Sequence, residues 1–357
     1  MNRYGKLICI SLMFVSKAYS QDTLNKRWQY SSVGIQYYHG TALGNTYKRI
    51  SDSDPYSLEI FFQMQKNVSP TWNRTKRLPQ FGFGLSFTNT GSQQHIGSVI
   101  CAYPYLKFPL FTLNRLESNL RLGFGLGWVE KPYHKTRNAE NLLLSQKINT
   151  HSNFSWHNEI RVSPKHFINT VVSFFHLSNA KTSLPNLGLN IPAVAIGYRY
   201  AFHGDTKKPI QIIDTLVSKP FLKVFFSGGI KQMQVPDSSY YLVKGLTLEA
   251  GKQISHSSTV SIGTLLTHDR SVATDPYVKN LQRIKTVQAI MYASYEYNFG
   301  RLSIPIQFGV FVYNSNAKLM EAIGARYRLN EKWIAQFLLK SHLHRADMMH
   351  FGIGYKF

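Results

Sequence analysis

Apolar residues alternate with polar or small ones along most of this chain, and no stretch after residue 20 reaches the roughly 18 consecutive apolar residues of a membrane-spanning helix. A period of two is the signature of a strand with two different faces. Sixteen such segments can be traced, the first near Tyr30–His39 and the last near Met348–Phe357, and no long amphipathic helix interrupts them. Phe81-Gly82-Phe83-Gly84-Leu85 and Gly123-Phe124-Gly125-Leu126-Gly127-Trp128 set glycines on one face and bulky residues on the other. In a soluble core such a glycine face would leave gaps. In a closed barrel the glycines make room inside while Phe, Leu and Trp face lipid. Aromatic residues make up 14% of the chain, yet mean hydropathy is −0.21. A transmembrane barrel combines the two, with apolar outward positions, polar inward ones and aromatic belts.

The ends of the chain agree. Arg3 and Lys6 precede an apolar run from Leu7 to Val15, and Ala18-Tyr19-Ser20 offers small residues where a signal peptidase cuts. The run is too short to span a bilayer, so residues 1–20 read as a removable export signal. Cys9 lies within that signal, which leaves Cys101 alone and no intrachain disulfide. Met349 to Phe357 alternates and ends on Phe357, the form of terminal strand that the outer-membrane barrel assembly machinery recognises. The expected location is therefore the outer membrane of a Gram-negative cell, among outer-membrane lipids.

The balance of 41 Lys and Arg against 18 Asp and Glu is strongly basic. An exported barrel does not meet nucleic acid, but it does meet lipopolysaccharide, whose phosphates Lys and Arg can hold by charge-assisted hydrogen bonds. The chain divides into the signal 1–20, a first half 21–202, a linker or long turn 203–218 with Pro209, and a second half 219–357. One barrel of about 12–16 strands is the favoured closure, because tandem barrels in one chain are unusual; two eight-stranded units are the alternative. The halves echo each other. His176-Leu177-Ser178-Asn179-Ala180 corresponds to His342-Leu343-His344-Arg345-Ala346, and Gly197-Tyr198-Arg199 to Gly354-Tyr355-Lys356, so the second half reads as a degenerate repeat without a nucleophile.

One constellation carries chemistry. His176 and Ser178 stand two apart on a strand, on one face and roughly 7 Å apart along the backbone. A neutral imidazole that close, once the strand end twists, can take the serine proton and make a nucleophile. Asn179 and Ala180 then start a loop whose backbone N–H groups can hold an oxyanion. Val172 and Phe174 share the face of His176 and offer apolar ground for an acyl chain. His151-Ser152 and His256-Ser257 lack the downstream Pro185-Asn186-Leu187-Gly188, and His342, His344 and His350 have only Asp347 beside them, too little for a metal site.

With Phe174, His176, Ser178, Asn179 and Ala180, followed by Pro185, Asn186 and Gly188, residues 28–202 resemble the lipid A 3-O-deacylase family of outer-membrane enzymes, in particular its acyloxyacyl hydrolase-like members. The resemblance implies an eight-stranded barrel unit and hydrolysis of an acyl ester of lipid A without cofactor or metal. It assigns Ser178 as nucleophile, His176 as base, and Asn179 and Ala180 to the oxyanion site. The family's acid falls at Asn190, and no Asp or Glu occurs between Arg161 and Gly204. An Asn carbonyl can still orient a histidine; otherwise an acid must come from elsewhere, Glu159 being the nearest. A non-catalytic barrel (pore, adhesin or scaffold) keeping a degenerate motif is the alternative.

Overall fold

The computed structural model describes residues 31–64, 79–202, 218–232, 239–255, 257–274, 286–314, 318–342 and 345–357. The export signal, and the linker up to residue 217, lie outside them. The first eight strands are β1 (Ser31–Gly40), β2 (Tyr56–Met64), β3 (Gln80–Asn89), β4 (Ser98–Leu113), β5 (Leu116–Val129), β6 (Ile148–Arg161), β7 (His166–Ser178) and β8 (Leu189–Ala201), with one short helix, α1 (Asn45–Ile50), between β1 and β2. The second eight are β9 (Pro220–Lys231), β10 (Tyr241–Ser255), β11 (Ser258–Asp269), β12 (Val287–Phe299), β13 (Leu302–Tyr313), β14 (Leu319–Arg328), β15 (Trp333–His342) and β16 (Arg345–Lys356).

These strands close into two antiparallel barrels of eight, not the single larger one favoured from the sequence. Strand β8 returns to β1 with Ser32 opposite Ala201 and Gly40 opposite Ala193, so the first sheet has no free edge left to receive β9. Strand β16 returns to β9 in the same way, Phe351 opposite Gly228. Alternation specifies which face a residue takes, but it does not encode which strands pair.

Eight strands enclose a lumen just wide enough for side chains. Outward positions such as Ile35, Ile60, Phe83, Leu126 and Trp156 are exposed, as a lipid-facing wall requires. The alternating glycines fall inward as expected. A Cβ added at Gly123 would meet the Tyr103 ring at 2.6 Å, so the missing side chain makes space for a phenol. In the first barrel Glu59 accepts from Arg121 (2.6 Å), Tyr103 (2.8 Å) and Tyr38 (3.0 Å), while Glu159 accepts from Lys107 (2.5 Å) and Arg199 (3.0 Å). In the second, Arg326 bridges Glu249 (2.8 Å) and Glu296 (3.0 Å), with Lys223 at 2.9 Å from Glu296. Charges buried this deeply persist only when paired and hydrogen-bonded. The middles of both lumens are thus filled, which speaks against a pore.

In the first barrel the connections after β1, β3, β5 and β7 gather at one end, the loop end, and the chain termini at the other; in the second barrel the termini share their end with the short β10–β11, β12–β13 and β14–β15 turns. At the loop end of the first barrel, the Tyr47 hydroxyl of α1 donates to Thr90 O (2.6 Å), and Ser92 Oγ donates to Ile50 O. The barrels touch through Phe108 against Tyr297 (centroids 5.5 Å apart) and Phe124 against Phe337 (5.2 Å).

Candidate active site

At the loop end of the first barrel, β7 delivers His176 outward, in line with Val172 and Phe174, onto the wall that faces lipid. Its cross-strand partner on β8 is Asn190. The two side chains meet: His176 Nδ1 lies 2.6 Å from Asn190 Oδ1. On the other edge of the imidazole, Nε2 lies 3.0 Å from Ser178 Oγ. A carbonyl oxygen at Nδ1 can only accept, so Nδ1 carries the proton and Nε2 is left to receive one from the hydroxyl. Three residues read from the sequence therefore form one continuous relay. The backbone distance shrinks to hydrogen-bond length because Ser178 is the last residue of β7, where the chain leaves the strand.

The loop after Ser178 explains the rest of the motif. Ala180 and Lys181 both take left-handed backbone angles, φ 50° and 61°, which fold the chain back over the site and leave Ser178 only 3% exposed. Asn186 Oδ1 accepts from the Asn179 backbone N–H at 3.1 Å, pinning both ends of the loop. Gly188 has φ +77°, and a Cβ there would stand 3.0 Å from His176 Cε1. Any side chain at 188 would strain the backbone and press on the imidazole. The Gly188 N–H donates to Leu143 O (3.0 Å) and the Leu187 N–H to Leu142 O (3.2 Å), so the β5–β6 connection backs the loop.

Two expectations need revision. Asn179 was expected to supply oxyanion donors, but its backbone N–H is held by Asn186 and its side-chain amide donates to Ser145 Oγ and Ser183 O, both at 2.9 Å. It ties the loop together. Ala180 is fully buried, and its N–H has no partner among the described residues. Glu159 does not serve the histidine either. It faces the lumen, locked between Lys107 and Arg199, and pairs in register with Asn169, seven residues down β7 from His176.

Below the relay, the outer wall is apolar. Val172 lies opposite Val194, and Phe174 opposite Pro192, with Ile196 one step lower on the same face. Above it the loops carry exposed Lys48, Arg49, Lys135, Arg137 and Lys147, with Lys181 half-buried beside the site.

Sequence reasoning missed Gln232, which leaves β9 of the second barrel and reaches the same loop. Its backbone N–H donates to Lys181 O and its Oε1 accepts from the Leu184 N–H, both at 2.8 Å. No motif marks it, since its role exists only once the two barrels lie together. The other histidines stand apart. His151 is buried in the first barrel beside Phe175, ring centroids 5.8 Å apart. His342 bonds Asp347 at 3.3 Å inside the second barrel, and His344 lies outside the described residues.

The family profile described as lipid A 3-O-deacylase (PagL) matches residues 13–199, and that described as acyloxyacyl hydrolase, C-terminal domain, matches residues 221–357. Among curated proteins, none matches the chain. Similar solved structures include neisserial surface protein A (TM-score 0.35, 9% identity, covering 48% of this chain and 97% of that one). The outer membrane enzyme PagL is another (TM-score 0.32, 14% identity, 46% of this chain and 97% of that one).

Proposed function

The chain belongs to the lipid A 3-O-deacylase family, whose barrels sit in the outer membrane, and from that membership we propose that it removes an acyl chain from lipid A with Ser178 as nucleophile. The single observation behind this reading is the relay Ser178–His176–Asn190, hydrogen-bonded at 3.0 and 2.6 Å on the wall that meets lipid.

In the proposed reaction, Ser178 Oγ attacks the ester carbonyl as its proton passes to His176 Nε2. The tetrahedral oxyanion is received by the Ala180 N–H. Collapse breaks the carbonyl–alkoxy bond, and the imidazolium returns its proton to the sugar oxygen of lipid A. Water, activated by the same nitrogen, then cleaves the acyl-serine and releases the fatty acid. The apolar strip of Val172, Phe174, Val194 and Ile196 supports the acyl chain, and the basic loop residues hold the phosphates. Asn190 fixes the tautomer without adding negative charge, so the imidazolium is stabilised less than it would be beside a carboxylate.

The test is mass spectrometry of lipid A after incubation with the purified protein in detergent. Wild type is expected to remove one acyl chain and Ser178→Ala none. Deacylation by both, or by neither, overturns the assignment. A non-catalytic barrel gives the second of those results.

A further inference from the structure

The terminal end of the second barrel holds a feature that the acyl-transfer site does not use. Its lumen opens there into a cup of about 540 Å³, walled by residues from all eight strands and floored by Lys223 and Glu296, the edge of the buried charge network. Because that network crosses the lumen behind it, the cup is a dead end.

Its charge is one-sided. Lys219, Arg301, Arg328 and Lys356 line it together with Lys223, against Glu296 as the acidic side chain. Lys223 is already committed to Glu296 (2.9 Å) and Glu249 (3.5 Å). The other four cations have no carboxylate partner among the described residues. Arg328 donates to Gly300 O, and Lys356 rests over the Phe221 ring, 5.1 Å from its centroid. The first barrel resolves the matching position differently. Arg199 occupies the place of Lys356 in the shared Gly-Tyr-basic ending and also lies over a phenylalanine, Phe167, at 3.7 Å, but it is neutralised by Glu159 at 3.0 Å. Where the first barrel supplies its own anion, the second leaves like charges facing one another across a cavity, an arrangement that an incoming anion relieves.

We infer that this cup binds a phosphoanion, a phosphate mono- or diester or pyrophosphate entering from the side of the chain termini. Two guanidinium forks and two ammonium groups match the several oxygens of a phosphate, since arginine grips them in pairs and lysine adds point charge. In outer-membrane barrels the short-turn end faces the periplasm, so both soluble phosphates and the headgroups of inner-leaflet phospholipids have access. The site is separate from Ser178, and its occupancy does not depend on deacylation.

Isothermal titration calorimetry of the full-length protein in a neutral detergent tests this with two probes, inorganic pyrophosphate and phosphatidylglycerol in mixed micelles. Arg301→Gln/Arg328→Gln/Lys356→Gln is compared with Arg115→Gln/Lys165→Gln/Lys332→Gln, which removes as many charges from exposed turns. Retained heat-modifiable migration certifies the fold of each, and single substitutions replace the triple should it fail to fold. Saturable binding near one per chain is expected for wild type, weakened about thirtyfold or more in the cup variant and within about twofold of wild type in the control. Binding of pyrophosphate alone identifies a soluble ligand, and binding of phosphatidylglycerol alone a lipid headgroup. The inference is overturned if wild type binds neither probe saturably, or if the cup and control variants weaken equally. Ser178→Ala keeps full affinity, so loss of deacylase activity and loss of this site are read separately.

Discussion

The two barrels solve the same packing problem with the same parts and then diverge at their loop ends. Each sets one buried arginine among glutamates and phenols: Arg121 with Glu59 and Tyr103, Arg326 with Glu249 and Tyr292. At the loop end the first barrel turns a histidine outward to meet a serine. The second keeps His342 inside, against Asp347, which Lys340 and Lys231 also hold at 2.8 and 2.9 Å. His176 and His342 therefore stand on opposite faces of their sheets, and the shared His-Leu pair is not one position repeated. One barrel has the serine without an acid, the other an acid without the serine. Chemistry depends on the face a residue occupies, which a one-residue change of register reverses.

Substitutions at the paired positions can break this contrast, beginning with the largest effect. His176→Ala is expected to lower kcat for lipid A deacylation by about 10⁴ or more, whereas His342→Ala stays within about twofold, measured on lipid A in detergent. Equal losses would mean that both barrels contribute to the chemistry. Next is stability. Arg326→Ala leaves Glu249 and Glu296 to share Lys223, and Arg121→Ala takes from Glu59 the cation that pairs with it, each expected to cost about 3–5 kcal/mol in urea unfolding from detergent or bilayers. A smaller cost for Arg326 would show that its network is solvated.

Three further changes sharpen the picture of the first barrel. Gly188→Ala is expected to cut kcat about a hundredfold with the barrel still heat-modifiable, because the new methyl displaces the imidazole. Asn190→Asp supplies the missing charge and is expected to raise kcat about tenfold, read in the same deacylation assay; a fall would show that the relay is tuned to a neutral partner. The smallest effect is at Gln232→Ala, about three- to tenfold in kcat with unchanged stability of the isolated fold transitions. No change there would leave the second barrel without influence on the loop that follows Ser178.

Much of this was legible in the residues, and what was not has definite physical causes. Strand positions and faces followed from alternation, so Gly123 facing inward and Trp128 facing lipid came directly from the period. His176 and Ser178 were legible as a candidate pair because they stand two apart on one strand, whereas Asn190, on the next strand, came only from the family resemblance. Closure was not, since nothing in the sequence of β8 says whether β1 or β9 will lie beside it. Asn179 was misread because its donors are consumed by Asn186, Ser145 and Ser183, contacts that exist only once the loop has folded. Gln232 was invisible for a similar reason, its partners lying some fifty residues away in the other barrel.

The most direct measurement is covalent. Treating the purified protein with a fluorophosphonate and mapping the adduct by peptide mass spectrometry asks whether the hydroxyl beside His176 is a nucleophile at all. Labelling confined to Ser178, and lost in His176→Ala, is the predicted result. An unlabelled protein, or an adduct on any other serine, would contradict it.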